Sequence, residues 1–467
     1  MSMRMTTPIR DFVEEYVKKA PLRLHMPGHK GAHLTGFEPY DITEVAGADS
    51  LYEADGIIRE SEANASLLFG CPTYYSTEGS SQCIRAMLYL VAMHARAGGQ
   101  TRPLILAGRN AHKTLLSAVA LLDLDVEWLY PENSGGYLSC PISPEGLNQE
   151  IVRLSRAGTR PAAVYLTSPD YLGNVADIRA LSAVCREQGV LLLVDNAHGA
   201  YLRFLSPSRH PMDLGADLCC DSAHKTLPVL TGGAYLHVGA HVAALFREQA
   251  KQALSLFGST SPSYLILQSL DMANAVMADN EFMPALQAAA QRVEACRRAL
   301  AAHGWSARHG DESLSEPLNE PLNEPLKLTV FPRSYGYTGD EVADYLRGHG
   351  IECEFADPDH MVFMITPAIT ENDLAKVTEA LLALPRREAT MATPPRMVRP
   401  RRIMTVREAL LSPAEACPVR DCVGRVLAAA TVGCPPAVPI VACGEVIDEG
   451  CIACFDYYGI ETCMVVR

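Results

Sequence analysis

From about residue 60 to 270, short apolar runs alternate with amphipathic stretches. Leu104-Ile105-Leu106-Ala107, Ala162-Ala163-Val164-Tyr165-Leu166 and Val190-Leu191-Leu192-Leu193-Val194 are continuously apolar and predict strands. Ile178 to Gln188 and Gln82 to Ala97 carry helical spacing. Strands alternating with helices imply a mostly parallel sheet covered on both faces. Sites in such sheets form at the carboxyl ends of strands. Asp195, directly after Val194, stands at one of those ends.

The flanks read differently. Residues 1–20 predict a short amphipathic helix with Ile9, Phe12, Val13 and Tyr16 apolar. Leu24 to Gly31 is polar and turn-rich. Phe282 to His303 predicts an Ala-rich helix leading to a smaller α/β domain. Inside that domain, Glu316-Pro317-Leu318-Asn319 recurs as Glu320 to Asn323 and Glu324 to Lys327. The repeated proline and charge suggest a surface loop expansion. Residues 386–402, with Arg386, Arg387, Arg396, Arg399, Arg401 and Arg402 among prolines, read as a solvated linker. The expected division is therefore a helix at 1–20, a large domain at 21–280, a small α/β domain at 281–385, a linker at 386–402 and a small C-terminal α+β domain at 403–467.

Composition narrows the function classes. The 467 residues, 48% hydrophobic and 20% charged, fit an ordinary globular protein of two or three domains. A formal net charge of −14 argues against nucleic acid as a partner. There is no signal-peptide core and no apolar run of the length, about 20 residues, that spans a bilayer. Fifteen cysteines then suit a reduced, cytoplasmic protein with thiols buried as small hydrophobes. Cys451 and Cys454 form a CxxC with Cys434 and Cys443 upstream, but the ligand set is incomplete, so no metal is expected.

The chemistry gathers at four places. Thr77-Glu78-Gly79-Ser80-Ser81 precedes the helix near Gln82. Small hydroxyls and glycine at a helix N-terminus suit a phosphate, although serine-rich caps are also common. His112, in Arg109-Asn110-Ala111-His112-Lys113-Thr114, follows a strand and could stack on a ring or simply cap a helix. Asp195 could cap a turn or hold a ring nitrogen. Lys225, in Ser222-Ala223-His224-Lys225-Thr226, follows Asp195 by 30 positions. A lysine that holds pyridoxal phosphate as a Schiff base and a carboxylate that keeps its pyridine nitrogen protonated need this pair of groups.

That order of motifs, with these words, resembles the ornithine/lysine/arginine decarboxylase family of fold-type-I pyridoxal phosphate enzymes. The likeness rests on His25-Met26-Pro27-Gly28-His29-Lys30-Gly31, Asp41-Ile42-Thr43-Glu44, Arg109 to Lys113, Thr167-Ser168-Pro169, Asp195-Asn196-Ala197-His198-Gly199 and Ser222 to Pro228. Cys434 to Pro439 and Gly444-Glu445 extend it to the C-terminus. The resemblance implies an α/β fold-type-I large domain with a mixed, mostly parallel sheet, a small α/β domain and a small C-terminal α+β domain. It implies Lys225 as the Schiff-base lysine, Asp195 on the pyridine nitrogen and His112 on the ring. Gly79, Ser80, Ser81, Ser222 and His224 fall at the phosphate, His198 beside the cofactor, and Glu445 toward the distal basic group of the substrate. It also implies a homodimer or larger homo-oligomer.

Some positions depart from the family. Asn196 stands where glutamate is usual, which removes a charge near the cofactor. Leu230-Thr231-Gly232-Gly233-Ala234 replaces a more polar stretch, Ala437 replaces glycine, and Cys443 stands where proline is common.

Aminotransferases of this fold clamp the substrate carboxylate with a late arginine, for which bidentate pairing suits the guanidinium. Met361 to Pro367 carries none, although Arg333 could serve from elsewhere. The expected reaction is therefore α-decarboxylation of a basic amino acid, arginine or lysine before ornithine, in polyamine-type metabolism. His224, His198 or a tyrosine from a second subunit could return the proton to Cα. The alternatives are an aminotransferase or lyase, or a non-enzymatic regulatory homologue.

Overall fold

The apolar runs become strands whose side chains are almost wholly buried. The computed structural model describes residues 5–131, 136–306, 322–389, 395–434 and 438–467. Seven strands form a mixed, mostly parallel sheet: β1 (Thr73–Ser76), β2 (Leu104–Gly108), β3 (Asp125–Leu129), β4 (Ala163–Thr167), β5 (Leu191–Asp195), β6 (Leu218–Asp221) and β7 (Ala234–Val238), in the order β1-β7-β6-β5-β4-β2-β3. The expected α/β class and sheet are both present. The chain folds as two units, Met1–Thr101 with Ile178–Pro284 and Arg102–Asp177 with Ala285–Arg467. Residues 102–177, expected within the large domain at 21–280, belong to the second unit.

In the first unit β5 and β6 run parallel, with Asp195 opposite Cys220. β7 runs antiparallel to both β6 and β1. The helix Ile178–Gln188 buries Ile178, Leu181 and Cys185, a spacing that keeps one stripe on the core. The helix Gly79–Ala97 starts three residues earlier than its apolar pattern, at the glycine of the serine-rich loop.

In the second unit β2 pairs in parallel with β3 and β4. A three-stranded antiparallel sheet joins Lys327–Val330, Met361–Met364 and Phe355–Ala356. The helices Gly339–Arg347 and Glu371–Ala383 each begin with a capping box, Thr338 with Glu341 and Thr370 with Asp373. Toward the C-terminus, Ala414–Pro418 pairs with Thr462–Val466 beside the helix Glu449–Tyr457. Cys451 and Cys454 lie buried in that helix, and burial pushes the Cys451 thiol up to about 12.

Two sequence expectations change here. The first copy of the Glu-Pro-Leu repeat and Glu320-Pro321 of the second lie outside the described residues, but the last copy is not a surface loop. Glu324, Leu326 and Lys327 are buried, and Glu324 Oε1 pairs with Lys327 Nζ at 2.9 Å. The preceding Leu322–Asn323 pairs with Asn174–Val175 as a short ladder. The arginines of 386–402 are also not simply solvated. Arg387 lies over the Tyr337 ring at 4.0 Å, Arg399 over Tyr130 at 4.4 Å, and Arg402 Nη1 reaches Asp125 Oδ1 at 3.1 Å. Planar guanidinium groups stack on aromatic faces, which a reading based on charge and proline content overlooks.

Candidate active site

In the first unit the carboxyl ends of β5 and β6 and the loop after β1 carry the candidate residues. Asp195 is the last residue of β5 and is 2% exposed. Its Oδ1 accepts from the Ala197 amide at 3.2 Å and from the Cys220 thiol at 3.6 Å. Lys225 lies on the one-turn helix Ala223–Thr226 that follows β6. Its Nζ is 2.8 Å from His198 Nε2. An amine and an imidazole nitrogen at that distance share a hydrogen bond, so His198 can take or return a proton at Nζ.

The serine-rich loop meets the lysine loop. Ser222 Oγ donates to Ser80 Oγ at 2.7 Å. Gly79 has φ +72, and no atom lies within 4 Å of where its Cβ would be. The Gly79 amide donates to Gly232 O at 2.7 Å. Gly232 itself has φ +98, and a Cβ there would come within 2.9 Å of Thr77 O. The glycine pair after the lysine is therefore explained by close backbone approach and a left-handed turn. His224 donates from both its amide and Nδ1 to Gly233 O, at 3.2 and 3.0 Å. Ser81 is the second residue of the helix Gly79–Ala97 after its glycine. A helix N-terminus flanked by these hydroxyls is the chemistry an anion needs.

The pleat alternates side chains between the two faces of the sheet. Asp195 and Cys220 share one face, and the next pair, Asn196 and Asp221, share the other. The expectation that Asn196 removes a charge near the cofactor is therefore corrected: its side chain turns to the opposite face, where Nδ2 donates to Asp221 Oδ1 at 2.7 Å. Asp221 Oδ2 meets His210 Nε2 and His237 Nε2, both at 3.0 Å. Burial alone would raise the Asp221 carboxyl, but the two imidazoles hold it well below the usual carboxylate range. This group was missed in the sequence. A signal existed: Leu218-Cys219-Cys220-Asp221 is a second apolar run ending in a carboxylate, like β5.

The second unit carries the other two candidates. His112 caps the helix Lys113–Leu121, its Nδ1 accepting from the Thr114 amide at 3.3 Å. Glu445 is placed differently from the expectation that it meets substrate. Both its oxygens take Arg109, Oε1 from Nη1 at 2.9 Å and Oε2 from Nη2 at 2.8 Å. The Ala442 amide adds a bond to Oε2 at 2.7 Å, and both partners of the ion pair are buried. Arg109 also stacks on Trp128 at 4.8 Å. The guanidinium already supplies the counter-charge that a basic substrate would bring. Arg333, the alternative carboxylate clamp, is held by Asp359, Nε to Oδ1 at 2.5 Å, and by the Tyr457 hydroxyl.

Among the described residues no helix is long and apolar enough to cross a membrane. Comparison with known proteins places the chain in a family. The description "Orn/Lys/Arg decarboxylase, major domain" matches residues 7–373. An arginine decarboxylase of Halalkalibacterium halodurans is 27% identical over 97% of this chain and 93% of its own length. One of Bacillus subtilis is 26% identical over 95% and 91%. Among solved structures, the lysine decarboxylase of Francisella novicida aligns with a TM-score of 0.82 at 17% identity, covering 99% of this chain and 81% of its own. Lysine decarboxylase A of Pseudomonas aeruginosa gives 0.81 at 18% identity, with 98% and 80% covered. These two neighbours share the fold-type-I architecture. The chain belongs to the Orn/Lys/Arg decarboxylase family and is a decarboxylase.

Proposed function

We propose that this chain removes the α-carboxylate of a basic amino acid as CO2, with pyridoxal phosphate as its cofactor. The observation that carries the reading is Lys225 Nζ, 2.8 Å from His198 Nε2, on a loop braced to Ser80 and beside the strand that ends in the buried Asp195. These residues fit the cofactor: an amine for its aldehyde, hydroxyls at a helix N-terminus for its phosphate and a buried carboxylate for its ring nitrogen. Bound there, pyridoxal phosphate supplies an electron sink for the pair left when the Cα–carboxylate bond breaks.

Lys225 would hold the cofactor through its amine. Asp195 keeps a proton on the ring nitrogen, with the Ala197 amide fixing its Oδ1. Gly79, Ser80, Ser81, Ser222 and His224 receive the phosphate, and His198 moves a proton at Lys225 Nζ. His112 is the residue assigned to the ring in this reading. Glu445 is not assigned to substrate, because Arg109 already fills both its oxygens. Arginine or lysine comes first as substrate, with ornithine behind. The near full-length relatives named arginine decarboxylase favour arginine. The reading extends to a cytoplasmic homodimer or larger homo-oligomer whose amine product enters polyamine-type metabolism.

The test is CO2 release from arginine, lysine and ornithine with added pyridoxal phosphate, with Lys225→Ala as control. Release from one of them, lost in the variant, is the expected result. Bound cofactor with no CO2 release, but amino transfer to a keto acid, would replace the reading by an aminotransferase.

A further inference from the structure

The polar cluster behind β5 and β6 has no part in the chemistry proposed above, yet it is built around the two strands that carry that chemistry. The backbone register of β5 with β6 ends at Asp195 opposite Cys220, and the last backbone bond is Asn196 N to Cys220 O at 3.0 Å. Beyond it the two chains part, one toward His198 and the other toward Lys225. The side-chain bond from Asn196 to Asp221 continues the pairing where the backbone ladder stops. Both residues are 0% exposed. A charge-assisted bond in such surroundings is stronger than the same bond in water.

The proton inventory shows how the cluster holds its charge. His210 Nδ1 accepts from the Met212 amide at 3.3 Å, so its proton is on Nε2, where it donates to Asp221. The Thr73 hydroxyl donates to Cys71 O at 3.0 Å and so accepts from His237 Nδ1 at 2.9 Å. His237 Nε2 also donates to Asp221, which makes His237 an imidazolium. One negative and one positive charge remain, mutually satisfied. The other groups facing His237 are the Cys71 thiol, the rings of Phe69, Tyr235 and His210, and Cys219, which neighbours it across the sheet. His210, Cys219 and Asp221 have the composition of a metal site. The proton on His210 Nε2 occupies the position a metal would need.

Asn196 is also confined from the other side. A Cβ at Gly199 would come within 2.0 Å of Asn196 Oδ1, so glycine there leaves the room that the amide fills. We propose that Asn196 and Asp221 are positioning residues for the decarboxylase: their bond fixes the end of β5, and with it Asp195, against the loop that carries Lys225. This rests on the roles given above to Asp195 and Lys225.

The test uses the full-length protein stripped of pyridoxal phosphate and the variants Asp221→Asn, Asn196→Ala, Asn196→Asp and Asn196→Asp/Asp221→Asn. Affinity for added pyridoxal phosphate, its visible absorption, the urea midpoint and the imidazole NMR signals are measured. Asp221→Asn should return His237 to the neutral form at pH 7. Asp221→Asn, Asn196→Ala and Asn196→Asp should each weaken pyridoxal phosphate binding roughly tenfold, the loss of one buried hydrogen bond. Asn196→Asp/Asp221→Asn, which reverses donor and acceptor, should recover most of that loss. Asn196→Ala leaves Asp221 with both histidines and so tests the brace in a chain whose charge pair is intact. Cofactor affinity and absorption unchanged in Asp221→Asn and Asn196→Ala, with only the urea midpoint lowered, would overturn the proposal. So would a double variant no better than Asn196→Asp. Lys225→Ala in parallel separates the two claims: if it keeps the visible band, the role of Lys225 fails, whereas loss of the band with unaffected brace variants sinks the brace alone.

Discussion

Lys225 Nζ and His198 Nε2 are 2.8 Å apart, although 27 positions separate them and they sit on loops after different strands. The pairing gives the lysine a neighbour able to hold its proton, which an amine that must act as a nucleophile near neutral pH requires. His198→Ala should therefore lower kcat by about 10²-fold or more while the protein still binds pyridoxal phosphate. Steady-state rates and cofactor titration check this. A kcat within twofold of the parent would remove His198 from the proton path.

The Arg109–Glu445 pair leads to a different expectation. Glu445→Ala leaves a buried guanidinium without a counter-charge, a change that costs about 3–5 kcal/mol. Replacing both residues by methionine should recover most of that loss, because hydrophobic isosteres avoid the desolvation penalty. Urea midpoints of the single and double variants measure both effects. If Glu445 instead contacts substrate, Glu445→Gln will change the preference among arginine, lysine and ornithine with an unchanged midpoint.

Much of this fold is readable in the chain because its central strands are buried on both faces, so Leu191 to Val194 needs no polar alternation to be seen. The helix Ile178–Gln188 is legible for the matching reason, a single apolar stripe. What was hidden depends on partners distant in sequence. Asn196 looked like a neighbour of the cofactor because it follows Asp195, and only the pleat of β5 sends it to the other face. Glu445 looked like a substrate ligand because nothing in its own segment names Arg109, 336 positions away. β6 escaped notice because only three apolar residues precede Asp221, and β7 because His237 interrupts its apolar run.

The last copy of the repeat shows the same limit in energetic form. Glu324 and Lys327 look like loop charges, yet they form a buried pair, and Lys327 Nζ also donates to Asp170 O at 3.1 Å. Lys327→Met should destabilise the chain by about 3–5 kcal/mol at neutral pH. Burial already raises the Glu324 carboxyl, and Lys327 opposes that rise. Without the lysine the folded-state value rises further, so the variant should regain stability as the pH falls. Urea midpoints of variant and parent at pH 5 and 8 test this. A constant difference between the two would show that Glu324 does not titrate with the loss.

Asp271 gives the clearest pH dependence. The helix Pro8–Lys19 has no side-chain cap from its own Thr7. Asp271 supplies one from the helix Tyr264–Ala278: its Oδ2 accepts from the Arg10 amide at 3.0 Å, while Oδ1 accepts from Ser61 Oγ at 2.5 Å. Burial outweighs these bonds and pushes the carboxyl from 3.8 up to about 6. A raised carboxyl holds its proton more tightly in the folded chain than in the unfolded one. Its contribution is full below the unfolded value near 3.8 and is lost as the pH rises through about 6. The loss amounts to about 3 kcal/mol for a shift of this size. Asp271→Asn cannot titrate, so the stability of parent minus variant should fall between about pH 4 and 6 and be level on either side. Urea midpoints across that range decide it. A difference that rises with pH would mean that the helix cap, not burial, sets the Asp271 proton affinity.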